Sequence, residues 1–224
     1  MYQRYYKRVL DIIFSLCGLI CLAPVFLILM IWIRLDSPGP VFFKQQRVGR
    51  NKIHFHILKF RTMRTDAPHD MPTHLLTNPD AYITRSGRFL RKTSLDELPQ
   101  IINILKGEMS IVGPRPALWN QYDLIAERDR YAANDVTPGL TGWAQVNGRD
   151  ELEIEEKARL DGAYVRNLTF KMDATCFLMT IGNVLKQKGV VEGGTGTIAP
   201  HFEARKEEVK ENEDEQSYGG KNSA

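Results

Sequence analysis

The sequence predicts an α+β protein in which an N-terminal membrane-associated helix precedes a small mixed α/β domain. Three observations support this fold class. First, the 22 residues between Asp11 and Arg34 carry no charge, which is long enough for a helix embedded in a bilayer. Second, two runs with partial strand-like alternation follow, at residues 41–49 and 52–63. Third, the later sequence carries helical apolar stripes at residues 98–105, 118–132, 151–166 and 172–187.

Length and composition bound the organisation of the chain. It has 224 residues, 43% of them hydrophobic and 25% charged, and only one stretch is apolar enough to enter a bilayer, which excludes a polytopic transporter. Three cysteines, two of them in that stretch, favour a reducing, cytosol-facing protein. We expect a membrane-associated segment (1–36), a globular domain (37–190) and a Gly-rich linker with a disordered, charged tail (191–224).

Charge is distributed unevenly along the chain. Residues 1–115 hold 17 Lys and Arg against 8 Asp and Glu, whereas residues 116–224 hold 13 against 19. A basic first half beside an apolar segment indicates anionic partners such as lipid headgroups, phosphates or nucleotides.

The N-terminal helix has cations on both of its flanks, at positions 4, 7 and 8 before it and at five positions from 34 to 52 after it. Positive residues prefer the cytoplasmic side of a membrane, and Pro24 removes a backbone donor in the middle of the helix. The residues alone leave two arrangements open. One is a spanning helix with a proline kink, and the other is a re-entrant helix that bends at Ala23-Pro24 and leaves on the face it entered. Asp11 at the lip needs a cationic or backbone partner.

The first strands form a hairpin in this prediction. Gly49-Arg50-Asn51 suits the turn between them, and residues 64–82 have the composition of a loop. His54 and His56 lie on one face of the second strand without partners at metal-binding spacing, so we expect partly buried polar side chains.

The later elements alternate helix and strand. The stripe at 98–105 ends at Gly107, and residues 110–116 predict a strand that runs into a rigid proline turn. The stripes at 98–105 and 118–132 fit amphipathic helices that lie in the membrane interface, and they fit core packing equally well.

The most informative segment runs from Arg91 to Gln100 and contains the acid pair Asp96-Glu97. A structural interpretation is a capping box, because Ser94 precedes Glu97 by three residues. A functional interpretation uses the same geometry: a carboxylate near cations stays ionised and can act as a nucleophile, and a second carboxylate can help to hold Mg²⁺.

Two arginines add to the functional interpretation. Arg115 stands between Pro114 and Pro116, which restrict its backbone, and Arg149 follows an Asn-Gly turn. Guanidinium groups match phosphate oxygens two at a time. With an apolar anchor and an acid pair, these arginines predict a site that handles phosphates at the bilayer surface.

The chain resembles the bacterial sugar transferase family, the monotopic polyprenol-phosphate phosphoglycosyl transferases of small single-domain type, from about Tyr5 to Lys188. The resemblance is carried by several motifs in order. They are Lys7-Arg8-x-x-Asp11, Lys59-Phe60-Arg61-Thr62-Met63, Arg91-Lys92-Thr93-Ser94-Leu95-Asp96-Glu97-Leu98-Pro99-Gln100, Val112-Gly113-Pro114-Arg115-Pro116, and Pro138-Gly139-Leu140-Thr141-Gly142 leading to Val146-Asn147-Gly148-Arg149.

The resemblance implies a transfer of sugar-1-phosphate from a UDP-sugar to polyprenol (undecaprenyl) phosphate, with release of UMP. Such a step opens capsule, exopolysaccharide, O-antigen or glycoprotein glycan assembly. Asp96 resembles the nucleophile of a ping-pong reaction through a phosphosugar-aspartyl intermediate, and Glu97 completes the acid pair that holds Mg²⁺. The positions expected at the substrate and its phosphates are Lys59, Arg61, Arg91, Arg115 and Arg149, together with Asp161, an acidic family position to which the resemblance assigns no specific role.

The resemblance also implies a re-entrant helix at the cytosolic face of the bacterial cytoplasmic membrane. Arg8, Asp11 and Pro24 are expected at the membrane and its lipid headgroups. The family breaks this helix at a Ser-Pro pair, where this chain has Ala23-Pro24. The expected partners are inner-leaflet lipids and the two substrates, not nucleic acid.

Two rival functions stay open on the residues. One is a membrane-linked glycosyltransferase that passes sugar without its phosphate and releases UDP. The other is a non-catalytic anchor that binds anionic lipid or a protein partner, with a purely structural Ser94–Glu97 box.

Overall fold

The computed structural model describes residues 2–68, 79–148 and 152–185. Arg149 and the predicted linker and tail at 191–224 lie outside the described residues. A π-helical turn at Tyr2–Tyr6 leads into the first helix. The helices are α1 (Lys7–Asp36), α2 (Arg85–Thr93), α3 (Gln100–Lys106), α4 (Tyr122–Asp129), α5 (Trp143–Val146), α6 (Ile154–Arg166) and α7 (Phe170–Leu185), and the strands are β1 (Phe42–Val48), β2 (His54–Phe60), β3 (Ser110–Val112) and β4 (Gly139–Thr141).

The predicted α+β class is confirmed, with two small sheets among the helices. β1 and β2 form an antiparallel hairpin in which Phe42 pairs with Phe60, and β3 and β4 pair in parallel. The predicted turn is present, with Asn51 and Lys52 both at positive φ. His54 and His56 are exposed, which corrects the expectation of partial burial: they lie on the outer face, while Phe55 and Ile57 point inward.

The helix α1 is long and apolar enough to cross a membrane, and it continues through Pro24 without interruption. Its buried residues repeat every three or four positions at both of its ends, so they share one face. The other faces expose large apolar side chains along the whole length, among them Phe14, Ile20, Ile28 and Leu35. An apolar exterior of this extent indicates membrane association.

The N-terminal end of α1 is held on the domain by charged side chains. Lys7 pairs with Asp173 at the start of α7, with Nζ and Oδ2 2.6 Å apart. Arg8 donates to the carbonyls of Ile104 and Leu105 at the end of α3, and Asp11 accepts from the N–H of Ile111 at 3.0 Å. Asp11 therefore has the backbone partner that the sequence requires. Arg8 and Asp11, which were expected at the lipid headgroups, therefore contact the domain in this structure.

The C-terminal end of α1 packs on the same domain. Phe26 lies against Phe60 of β2, with ring centroids 5.3 Å apart, in a cluster that includes Leu90 of α2. The Asp36 carboxylate accepts from both the N–H and the hydroxyl of Ser86, each at 2.8 Å, at the start of α2. Both ends of α1 thus contact one domain.

The predicted amphipathic helices pack their apolar faces inward. In α3, Ile101 is buried beside Gly18 of α1 and Ile104 is buried against Phe55 and Ile57 of β2. In α4, Leu124 is buried beside Val48. Gly107 ends α3 at φ +90°, as predicted. The more exposed apolar face belongs to α7, where Phe177, Leu178 and Ile181 are 44–66% exposed.

Candidate active site

The acid pair occupies a single 3₁₀ turn, Leu95–Glu97, between α2 and α3. The capping-box interpretation is wrong, because the Ser94 side chain makes no capping hydrogen bond. Ser94 instead ends α2 in the left-handed conformation at φ +56°, with its N–H bonded to the carbonyls of Leu90 and Arg91. Pro99 is the N-cap of α3. The pair therefore lies on a tight connection, which lets both carboxylates meet groups from β2 and from the segment after β3.

Glu97 is clamped by two cations. Its Oε1 accepts from Lys59 Nζ at 2.8 Å, and the Arg115 guanidinium contacts both of its oxygens, with Nη1 3.2 Å from Oε2. The side chain is only 12% exposed. Burial opposes ionisation, yet Arg115 and Lys59 together hold the pKa of Glu97 well below its usual range. Glu97 is therefore a fixed anion whose oxygens are both engaged.

Asp96 is engaged far less. Its closest cation is Lys59, with Nζ 3.8 Å from Oδ2, and within the described ranges its carboxylate receives no hydrogen bond. Burial raises the pKa of Asp96, the negative charge of Glu97 adds to this, and the cations Lys59, Arg91 and Arg115 oppose it. The two neighbouring carboxylates thus differ in character, and Asp96 is the one with oxygen lone pairs available for chemistry.

Three of the predicted phosphate-binding residues surround the pair. Lys59 lies at the end of β2, and Arg115 lies just after β3, flanked by prolines. Arg91, in the last turn of α2, donates through Nε to Thr62 Oγ1 at 2.9 Å. A half-buried cluster of cations around an available carboxylate can bind phosphate oxygens and stabilise negative charge that develops during reaction.

The structure places two other residues predicted at the substrate site elsewhere. Arg61 is buried and donates to the carbonyls of Ile33, Ser37 and Pro38 at the C-terminal end of α1. Asp161 is fully buried on α6 and pairs with Arg128. Neither contacts the acid pair. Arg149, as noted above, is not among the described residues, so its role stays a prediction.

The donor set was compared with the needs of a Mg²⁺ ion. Asp96 fits, because its carboxylate has no hydrogen-bond donor in the described part of the chain and Mg²⁺ prefers carboxylate oxygen together with water and phosphate oxygens. Glu97, with both oxygens committed to cations, fits less well in this arrangement. No group of three or more His, Cys, Asp or Glu side chains that could hold a metal occurs in residues 2–68, 79–148 and 152–185.

Sequence reasoning missed the residues that support the site from behind. Arg128 donates to the carbonyl of Arg115, and Arg47 donates to the carbonyl of Pro116. Asp173 accepts hydrogen bonds from Lys7, Tyr2 and Tyr164. Arg128 lies in the run Glu127-Arg128-Asp129-Arg130, where its neighbours are also charged. Only its position on the inward face of α4 distinguishes it, and that signal is weak in so short a helix.

Comparisons with known proteins identify the family of the chain. The family model for bacterial sugar transferases matches residues 2–187. An uncharacterized sugar transferase EpsL of Bacillus subtilis is 40% identical over 184 residues, covering 82% of this chain and 89% of the relative. The exopolysaccharide production protein ExoY of Sinorhizobium fredii is 34% identical over 197 residues, covering 82% and 87%.

Longer relatives match over the same region. A UDP-glucose:undecaprenyl-phosphate glucose-1-phosphate transferase of Xanthomonas campestris is 40% identical over 189 residues, which cover 81% of this chain but 39% of the relative. This chain therefore spans about two-fifths of that protein and nearly the whole of the shorter relatives. By its family match, its motifs and these identities, the chain belongs to the bacterial sugar transferase family.

Proposed function

We propose that this protein is a phosphoglycosyl transferase that moves sugar-1-phosphate from a UDP-sugar to undecaprenyl phosphate and releases UMP. The unequal engagement of the two carboxylates carries the proposal: Glu97 is held by Lys59 and Arg115, while Asp96 is available. Relatives named as undecaprenyl-phosphate glucose-1-phosphate transferases support the same substrate classes. The product would serve exopolysaccharide or a related glycoconjugate.

The first half-reaction forms a covalent intermediate. An Asp96 carboxylate oxygen attacks the phosphorus that bears the sugar, and a P–O bond forms. The P–O bond to the bridging oxygen breaks, and its electron pair leaves with UMP. Arg91, Arg115 and Lys59 surround the reacting atoms and balance the negative charge on the phosphate oxygens.

The second half-reaction regenerates the carboxylate. An oxygen of undecaprenyl phosphate attacks the same phosphorus, the bond to Asp96 breaks, and the electron pair returns to the carboxylate. The product is undecaprenyl diphosphate sugar. Because UMP leaves before the lipid phosphate enters, one set of cations serves both phosphates in turn.

Of the two carboxylates, Asp96 is the one that would hold Mg²⁺, because its oxygens receive no hydrogen bond in the described part of the chain. When bound, the ion would neutralise phosphate charge and ease departure of UMP. Glu97 contributes differently, because its fixed negative charge holds Lys59 and Arg115 beside Asp96 without motion during reaction.

The membrane placement in this proposal is monotopic, on the cytosolic face. Both ends of α1 contact the same domain, which supports a helix that enters and leaves on one side. The outward face of α2 adjoins the exposed apolar face of α1, because the ring centroids of Phe89 and Trp32 are 5.3 Å apart. That face also exposes Arg85, Arg88 and Lys92, which suits anionic inner-leaflet headgroups.

A nucleotide assay tests the proposal. Purified protein in vesicles is given a panel of UDP-sugars, undecaprenyl phosphate and Mg²⁺, and the released nucleotide is identified. We expect UMP from at least one sugar, no release by Asp96→Asn, and normal release by the control Asp135→Asn, whose side chain is exposed. Release of UDP would indicate direct sugar transfer, and no release from any sugar would leave an anchoring function.

A further inference from the structure

The segment that carries Arg115 has an unusually complete set of backbone contacts. Each carbonyl of residues 114–117 accepts a hydrogen bond from another part of the domain. The donors, in order of the acceptors, are the N–H of Gly139 at 2.9 Å, Nη1 of Arg128 at 2.9 Å, Nη1 of Arg47 at 3.1 Å and the N–H of Val48 at 2.9 Å. The segment is thus held by four donors from three elements, β1, α4 and β4.

Arg128 is the donor that is itself held by a buried carboxylate. Its side chain is 4% exposed, and it binds Asp161 Oδ2 through Nε at 2.8 Å and through Nη2. That pairing leaves Nη1, which donates to the Arg115 carbonyl. The planar guanidinium fixes these directions relative to each other, so Asp161 on α6 sets where Arg128 holds the Arg115 backbone.

A buried ion pair of this kind needs an explanation other than stability. Removing two charges from water costs free energy that their attraction often fails to recover, and a well-packed apolar pair is frequently as stable. Asp161 Oδ1 also has no hydrogen-bond partner among the described residues, which adds to that cost. What the pair supplies is a charged donor at one backbone oxygen.

We infer that Arg128, held by Asp161, is a positioning residue that sets the Arg115 guanidinium against Glu97 and the reacting phosphate. The inference rests on the proposed function for its activity readout. It also gives Asp161 a specific role, which the resemblance did not assign. The prolines on either side of Arg115 restrict its backbone, so a shift at the held carbonyl passes directly to the side chain.

A double-mutant cycle tests this inference. The four proteins are wild type, Arg128→Lys, Arg115→Ala and the double variant, all full-length in vesicles. Lysine keeps the charge beside Asp161 but cannot hold both the carboxylate and the carbonyl in fixed geometry. We expect Arg128→Lys to lower kcat on the order of tenfold with little change in KM, and to change the rate less than twofold when Arg115 is already alanine. Equal losses in both backgrounds would overturn the inference.

Two further variants test the role of Asp161 and provide a surface control. Asp161→Glu keeps the charge balance while it displaces Arg128, and we expect the same dependence on Arg115. Arg130→Lys is the matched control, since Arg130 lies two residues away with a side chain 74% exposed, and it should behave as wild type.

A readout without catalysis separates this inference from the proposed function. The free energy of unfolding is measured by denaturant titration in the same four proteins. We expect the loss in the double variant to differ from the sum of the losses in the two single variants. Absence of UMP from wild type together with persistent non-additivity would refute the function and keep the positioning role. UMP release with additive losses in both rate and stability would refute the positioning role and keep the function.

Discussion

At the scale of single residues, the site separates two adjacent carboxylates into two tasks. Glu97 receives hydrogen bonds from Lys59 and Arg115 on both oxygens, whereas Asp96 receives none within the described ranges. Two carboxyl groups whose environments shift their pKa values in opposite directions commonly mark different chemical roles. In the proposed mechanism the fixed anion, Glu97, holds the cations in place and the available one, Asp96, reacts.

Substitution of each carboxylate should therefore have a different consequence. Asp96→Asn removes the proposed nucleophile, so we expect UMP release to fall by about 10³-fold or more. It also removes a charge that Glu97 repels, so we expect the melting temperature not to fall. Glu97→Gln leaves Lys59 and Arg115 without their counter-charge, so we expect a loss of about 3 kcal/mol in stability. Steady-state assays and thermal unfolding of both variants check this pair, and an Asp96→Asn protein with wild-type turnover would contradict it.

The pH dependence of the reaction should report on Asp96. The nucleophile must be ionised, and burial places its pKa above the ordinary value of 3.8. Activity should therefore fall as the pH drops through this raised pKa, at a higher pH than for an exposed aspartate. Removal of an opposing cation in Lys59→Gln should raise the pKa further. A profile of kcat/KM against pH should show its acid limb displaced to higher pH in that variant, and an unmoved limb would count against Asp96 as the titrating group.

Most residues around the acid pair could be predicted from residue types and motifs, whereas the partners of the others depend on tertiary packing. Lys59, Arg91, Asp96, Glu97 and Arg115 stand in the motifs, and the structure brings them together. Arg61 was expected at phosphate, and alternation alone would place it on the same face as Lys59. Because β2 ends at Phe60, Arg61 is free of that pattern and donates instead to the carbonyls at the end of α1. Sequence gives the side chain's chemistry, but which partner it meets depends on the tertiary arrangement.

At the scale of elements, the end of β2 links the membrane helix to the site. Lys59 contacts Glu97, Phe60 packs on Phe26 of α1, Arg61 caps the end of α1, and Thr62 accepts from Arg91. Consecutive residues thus contact the acid pair, the anchor and α2 in turn. The position of α1 on the domain is therefore tied to the positions of Lys59 and Arg91 beside the acid pair.

The contact between α2 and this strand end depends on Gly87. A Cβ at Gly87 would lie 1.9 Å from the carbonyl oxygen of Thr62, so no side chain fits without backbone movement. We expect Gly87→Ala to lower the free energy of unfolding by about 3 kcal/mol and to lower activity, because Arg91 is anchored on Thr62.

Gly182→Ala is the matched control for this substitution. Gly182 lies in α7 with nothing within 4 Å of an added Cβ, so alanine there should be neutral or stabilise by up to about 1 kcal/mol. Denaturant unfolding of both variants gives the comparison. Equal effects at the two glycines would show that α2 tolerates the added methyl group.

Predictability at this scale follows the strength of local signals. The hairpin and the stripes of α3, α4, α6 and α7 were predicted from periodicity, and their bounds agree within a few residues. The capping-box prediction is wrong because α3 begins later than the box requires, with Pro99 as its N-cap. Ser94 is instead the C-cap of α2. That choice depends on where α2 stops, and the last turn of α2 includes Leu90, which packs in a core cluster with residues of α1 and β2 that local composition does not reveal.

At the scale of the whole molecule, one domain holds both ends of a helix that is apolar on its outer faces. Lys7 and Asp36 mark the two ends, and their partners Asp173 and Ser86 belong to the same domain. A simple crossing of the bilayer would place one of these polar contacts, and the part of the domain that makes it, on the far side of about 30 Å of hydrocarbon. The sequence left spanning and re-entrant arrangements open because flanking charge is alike on both sides.

Cysteine accessibility checks the topology. In a variant with Cys17, Cys21 and Cys176 replaced, single cysteines are introduced at the exposed positions Gln3 and Lys44, one before and one after α1. We expect an impermeant maleimide to label both in inverted vesicles and neither in right-side-out vesicles. Labelling of the two positions from opposite sides would establish a spanning helix and contradict the monotopic placement.

Mass spectrometry of the half-reaction tests the central claim most directly. Wild-type protein is mixed with its UDP-sugar and Mg²⁺ but no undecaprenyl phosphate, quenched in acid and digested. We predict release of about one UMP per enzyme and a peptide containing Asp96 that is heavier by one sugar phosphate, with neither in Asp96→Asn. An unmodified Asp96 peptide, with UMP appearing only after the lipid phosphate is added, would contradict the covalent account.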